Sequence, residues 1–150
     1  MGNTRRSNAG VTLLELIIVM LVVGILGAIA VPTYRNYMMR ANRTDAKTAL
    51  LSAAGTLERC FSRDNAYNLA GGSCAAFAAT LPYTVGSGGD YQIAADAGNG
   101  GITATAFAIK ATPQGQQAND TECATFTLDD KNTRGVTGTF NANPAGCWGR

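Results

Sequence analysis

The sequence predicts an α+β fold: one long N-terminal helix followed by an antiparallel sheet of three or four strands. Three observations predict it. Residues 16–31 carry no charge and no strongly polar side chain. Beyond Pro32, apolar or small residues recur at Ala46, Leu50, Ala53, Leu57 and Cys60, spaced four, three, four and three, which is one apolar stripe on a polar helix. After residue 90, short segments alternate apolar and polar side chains with period two between Gly- and Asn-rich turns.

The helix is predicted over residues 11–63. Counted from Val11, its apolar part runs 21 residues to Val31, about 31 Å at 1.5 Å per residue and enough to cross a bilayer core. Pro32 lacks the N–H that a helix interior uses, so a bend or loosening is expected near Gly24 and Pro32. Ala49 and Phe61 widen the stripe of the second half. Residues 64–89 are rich in Gly, Ala and Ser and predict a loop with a short helix at 75–80. A short strand is predicted at 91–95. A longer one at 102–111 would put Thr103, Thr105, Phe107 and Ile109 on one face. After a polar loop at 113–119, residues 123–128 alternate again, and 129–135 form a charged turn. The sheet should bury Phe107, Ile109, Phe126 and Leu128 against the stripe that ends at Phe61. The tail, 136–150, would hang loose without Cys147 and Trp148 to tie it down.

Four cysteines, Cys60, Cys74, Cys123 and Cys147, occur without a C-x-x-C pair, and the chain has no histidine. A zinc cluster of short spacing is therefore disfavoured, and neither a metal nor a cofactor is expected. An even count behind an export segment favours two disulfides in an oxidising compartment. Three connectivities are possible; Cys60–Cys74 with Cys123–Cys147 closes the shorter loops. Without histidine, a Ser-His-Asp or Cys-His centre is excluded. Gly86-Ser87-Gly88-Gly89 precedes a strand rather than a helix, unlike a phosphate loop. An enzyme is not expected.

Glu15 is the anomaly. A carboxylate inside a membrane helix costs roughly 2.5–3.5 kcal/mol on insertion scales, a cost that a plain anchor has no use for. Ahead of it, residues 1–10 carry Arg5 and Arg6 and end in Gly10. The segment Gly10-Val11-Thr12-Leu13-Leu14-Glu15, with Gly24 and Pro32 beyond, resembles the type IV pilins, also called class III signal peptide proteins. The first mature residue of that family is usually Phe; here it is Val11. The finer likeness, from Tyr34 and Tyr37 and from Cys123…Cys147-Trp148, is to minor pilins of the PilE kind.

The resemblance implies a leader over 1–10 cut between Gly10 and Val11, N-methylation of Val11, a membrane and filament-core helix half over 11–32, an amphipathic half over 33–63, and a globular domain over 64–150. It implies the type IV pilin fold, with the region between Cys123 and Cys147 stapled. It also implies that Glu15 of an incoming subunit meets the Val11 amine of a neighbour, with Thr12 adding a hydrogen bond. Pairing an ammonium with a carboxylate in hydrocarbon offsets much of the cost of either alone. Gly24 and Gly27 have two readings, close helix packing or, with Pro32, local melting during extraction. The implied partners are other pilin subunits, a prepilin peptidase that is also an N-methyltransferase, an inner-membrane assembly platform and the membrane before assembly. The implied location is the bacterial inner membrane with a periplasmic C-terminal domain, then the extracellular filament. The positive-inside count points the other way, because Arg35, Arg40, Arg43 and Lys47 follow the apolar run; the cysteines and the leader side with the pilin orientation.

Of 12 basic residues two lie in the leader, leaving ten against ten acids, which gives no strong nucleic-acid signal. The leading expectation is a structural subunit, a minor pilin, of a type IV pilus. Alternatives are a DNA-uptake or adhesive minor pilin, for which Lys110, Lys131 and Arg134 are the C-terminal basics before Arg150, and a type II secretion pseudopilin. For the last, Asp120, Glu122, Asp129 and Asp130 offer calcium-type oxygens without a spaced ladder.

Overall fold

The computed structural model describes residues 11–68 and 70–149; the predicted leader, with Gly10, lies outside them. The chain divides into two compact units, Met1–Tyr37 and Met38–Arg150. Helix α1, Leu13–Asp64, begins in the first and ends in the second.

Between Leu16 and Val31 the helix is apolar on every side, and Ile17, Leu21, Ile25 and Ile29 are all more than half exposed. A helix greasy all round belongs in a hydrophobic surround rather than at a water interface. Pro32 lies inside it, so the Ala28 carbonyl has no i+4 amide to accept from. One residue on, the Thr33 hydroxyl donates to the Ile29 carbonyl (2.9 Å).

In the second unit the predicted stripe is the buried face of α1: Ala46, Leu50, Ala53, Leu57 and Cys60 are each 5 % exposed or less. It packs in one cluster with five antiparallel strands in meander order: β1 Tyr83–Val85, β2 Tyr91–Ala95, β3 Ala108–Pro113, β4 Phe126–Asp129 and β5 Arg134–Val136. The register aligns Tyr83, Ile93, Ala111, Phe126 and Val136 directly across all five. Ile109 stands opposite Leu128. Since side chains alternate along each strand, these rows share the helix-facing side. Each large apolar side chain fully buried there contributes about 1.5–3 kcal/mol.

The sheet is larger than the predicted three or four strands. β1 and β5, three residues each, fall in stretches that read as loop and turn. The strand predicted from 102 begins at Ala108 instead. Gly100 and Gly101 take positive φ, and Thr103 closes a turn in which its N–H and hydroxyl both donate to the Ala106 carbonyl. That turn uses up residues 103–106, although their alternation looks like a strand. Two short helices, α2 Ser73–Ala78 and α3 Ala145–Trp148, and 3-10 turns at Ala97–Asn99 and Gly115–Asn119 complete the unit. The first of these helices starts two residues before the predicted one.

The tail is tied down. The amides of Thr137, Gly138, Thr139 and Phe140 donate to carbonyls of Thr125, Cys123, Thr121 and Glu122. Gly138 is required here, because a Cβ would run into the Glu122 carbonyl. Cys123 is joined to Cys147, and Cys60 to Cys74. Trp148 meets Phe126 edge-on at 5.5 Å and donates its indole N–H to the Gly135 carbonyl (3.0 Å).

Candidate functional site

The N-terminal site is built on a helix cap. Thr12 precedes the first helical residue. Its hydroxyl accepts the Glu15 amide (3.2 Å), and its carbonyl accepts the Leu16 amide (3.2 Å). Thr-Leu-Leu-Glu has the Thr-x-x-Glu spacing of a capping box. The signal is present in the sequence, and reading Thr12 only as a partner of charged groups misses it. The cap fixes where the helix starts and leaves Val11 outside it. Glu15 follows one turn in, near the positive end of the helix dipole, and makes no salt bridge among the described residues. Further along, a Cβ at Gly24 or Gly27 would meet nothing within 4 Å. The chain itself gives no steric reason for glycine at either position.

The second unit is locked to its helix by a buried polar network that the sequence does not announce. Asp120, with a side chain 1 % exposed, accepts Arg43 Nε (2.6 Å) and Nη2 (2.7 Å), Gln117 Nε2 (3.3 Å) and the amides of Glu122 (3.2 Å) and Cys123 (3.3 Å). Fully buried Gln117 also donates to the Met39 carbonyl and to the Tyr91 hydroxyl, and it accepts Asn42 Nδ2. Hydrogen bonding to Asp120 outweighs burial and holds the Arg43 guanidinium above its ordinary pKa. Burial pushes the Tyr91 phenol up to about 12. Arg43 also reaches Glu122 (2.8 Å). The acids considered for calcium are therefore largely occupied: Asp120 and Glu122 hold Arg43, and Asp129 accepts the amides of Lys131 and Thr133 in its own turn.

At the far end of α1, Asp64 caps α2 through the Ser73 amide (2.5 Å) and hydroxyl (2.7 Å) and the Cys74 amide (3.4 Å), beside the Cys60–Cys74 bond. The Ser73 hydrogen bond is the main cause of its lowered pKa. Of the C-terminal cations, Lys110 sits 3.5 Å from Asp96, and Arg134 lies over the Trp148 ring at 5.4 Å.

Two family matches cover most of the chain. Residues 32–127 match the family described as type IV minor pilin ComP, DNA uptake sequence receptor, and residues 5–31 match the prokaryotic N-terminal methylation motif. A type IV major fimbrial protein FimA of Dichelobacter nodosus is 31 % identical over 93 % of this chain and 85 % of its own length. Another FimA of that organism is 36 % identical over 64 % of this chain and 69 % of its own. The type IV major pilin protein PilA of Myxococcus xanthus (strain DK1622) is 38 % identical over 41 % of this chain, a match spanning 28 % of that relative.

Proposed function

From the premise that this chain belongs to the type IV pilin family, we propose how its parts serve a structural subunit of the pilus, in the minor-pilin role that the match over 32–127 favours. The N-terminal methylation motif and the apolar helix imply membrane anchoring first and the filament afterwards. The leader is cut between Gly10 and Val11 by a prepilin peptidase, which then methylates Val11. Until an inner-membrane assembly platform extracts the subunit, residues 38–150 fold in the periplasm, where both disulfides close. Residues 11–32 then become filament core.

The observation that carries the reading is Glu15, one turn into a helix that is otherwise uncharged to Val31 and exposed along its length. In hydrocarbon it requires a cation, and the amine freed at Val11 of a neighbouring subunit supplies one. Thr12 holds the cap that fixes Glu15 relative to Val11. The missing Pro32 N–H and the low helix propensity of Gly24 support a helix able to loosen between them during extraction. Glu15→Val is predicted to leave cleavage intact and to abolish entry of this subunit into filaments. Normal incorporation of that variant would overturn the pairing.

One observation favours a second activity: the family matching 32–127 is described as a DNA uptake sequence receptor. Under that reading Lys131, together with Lys110 and Arg134 released from their intrachain partners, contacts phosphate. Affinity would then fall steeply with salt, and a flat salt dependence would remove the reading.

A further inference from the structure

Arg40, Arg43 and Lys47 recur at helical spacing on one face of α1 and line an open cleft of about 420 Å³, whose other side is Glu122, Phe140 and Cys147. The acids beside it do not balance it. Asp120 and Glu122 are both drawn onto Arg43. Arg40 is exposed and has no ion pair among the described residues. Half-buried Lys47 has one polar partner among the described residues, the Cys147 carbonyl at 3.2 Å. Burial and then the neighbouring Arg43 lower the Lys47 pKa, and no acid among the described residues acts against them. Phe140, 41 % exposed, stands against Gly146, where even a Cβ would crowd its ring, and forms an apolar wall beside the cations. The result is a preformed, partly desolvated seat for one oxyanion.

We propose that this cleft receives a side-chain carboxylate of a neighbouring pilin subunit, held between Arg40 and Lys47 with Phe140 alongside. The inference rests on the pilus-subunit reading and adds a contact outside the apolar helix. Charge complementarity selects this occupant. The mature chain balances ten cations with ten acids, so the local excess here is matched by acids elsewhere on the same surface. Asp45, Asp90 and Asp130 carry no ion pair among the described residues. In a filament the excess of one subunit meets the deficit of the next.

The chain has three lysines, Lys47, Lys110 and Lys131, so amine chemistry reads the site cleanly. The full chain is treated with an amine-reactive ester in nonionic micelles and in sheared filaments, with Lys131 as the reference. Lys47 is expected to react about tenfold more slowly in filaments, the factor for a site open a tenth of the time. A carbodiimide should join it to an acidic peptide in filaments and not in micelles. Equal Lys47 reactivity in both states, with the protein's other peptides present in the filaments, overturns the cleft contact and leaves the subunit reading intact. Absence of those peptides from filaments overturns both. Protection of Lys47 in micelles by added duplex DNA, without a filament cross-link, assigns the cleft to phosphodiester and also overturns the proposal.

Discussion

Replacing Asp120 with alanine removes the one carboxylate on which the helix-to-sheet network converges. Arg43, 14 % exposed, loses both close contacts to Asp120 and keeps only Glu122, which is 55 % exposed. Gln117 and the amides of Glu122 and Cys123 lose an acceptor at the same time. Removing one partner of a buried ion pair costs about 3–5 kcal/mol; the surviving Glu122 contact places Asp120→Ala near the lower end. The same logic makes Glu122→Ala cheap, at about 0–1 kcal/mol, because that pair is largely solvated. Trp148 is the sole tryptophan and packs on Phe126 in the same unit, so its fluorescence during guanidinium unfolding in nonionic micelles reports on this region. With a slope of roughly 4 kcal/mol per molar, Asp120→Ala should lower the midpoint by about 0.7 M and Glu122→Ala by a small fraction of that. Adding Arg43→Met to Asp120→Ala should not restore the loss, since the orphaned amides and Gln117 remain. Equal midpoints for Asp120→Ala and Glu122→Ala would refute the reasoning.

Other expectations follow from the same contacts. Leu57→Ala, at a fully buried stripe position, should cost about 2–5 kcal/mol, whereas Leu51→Ala, at 45 % exposure on the opposite face, should leave the same midpoint nearly unchanged. Asp64 has a folded pKa held below its ordinary 3.8, so its cap stabilises the fold above that pH and the contribution is lost as pH falls through the folded pKa. Asp64→Asn should therefore lower the thermal midpoint at neutral pH, and the gap to the parent should close in acid.

What was legible in the sequence followed from local periodicity and from costs that only a purpose explains. The spacing of Ala46, Leu50, Ala53, Leu57 and Cys60 gave the buried face of α1, because a 3.6-residue period is a local property. Glu15 drew notice because hydrocarbon penalises a carboxylate. What was not legible depended on distant pairing. Residues 103–106 alternate like a strand, yet a side-chain turn at Thr103 and two positive-φ glycines override the pattern. β1 and β5 are too short to show a period and exist because neighbouring strands supply their partners. Arg43 and Asp120 are 77 residues apart, and nothing local to Gln117 marks it as the buried side chain that joins the helix to Tyr91 and Asp120. The Thr12 cap was legible, but the functional reading of the same residues obscured it.

The central claim is that Val11 is the working N-terminus and that Glu15 needs it in a neighbour. Quantitative mass spectrometry of sheared surface filaments, read at the N-terminal peptide of this protein, tests it most directly. The account predicts a peptide that begins at Val11, carries a methyl group on its amine, and occurs at a level far below that of another pilin. A chain that retains residues 1–10 and stays in the membrane, absent from filaments, would contradict it.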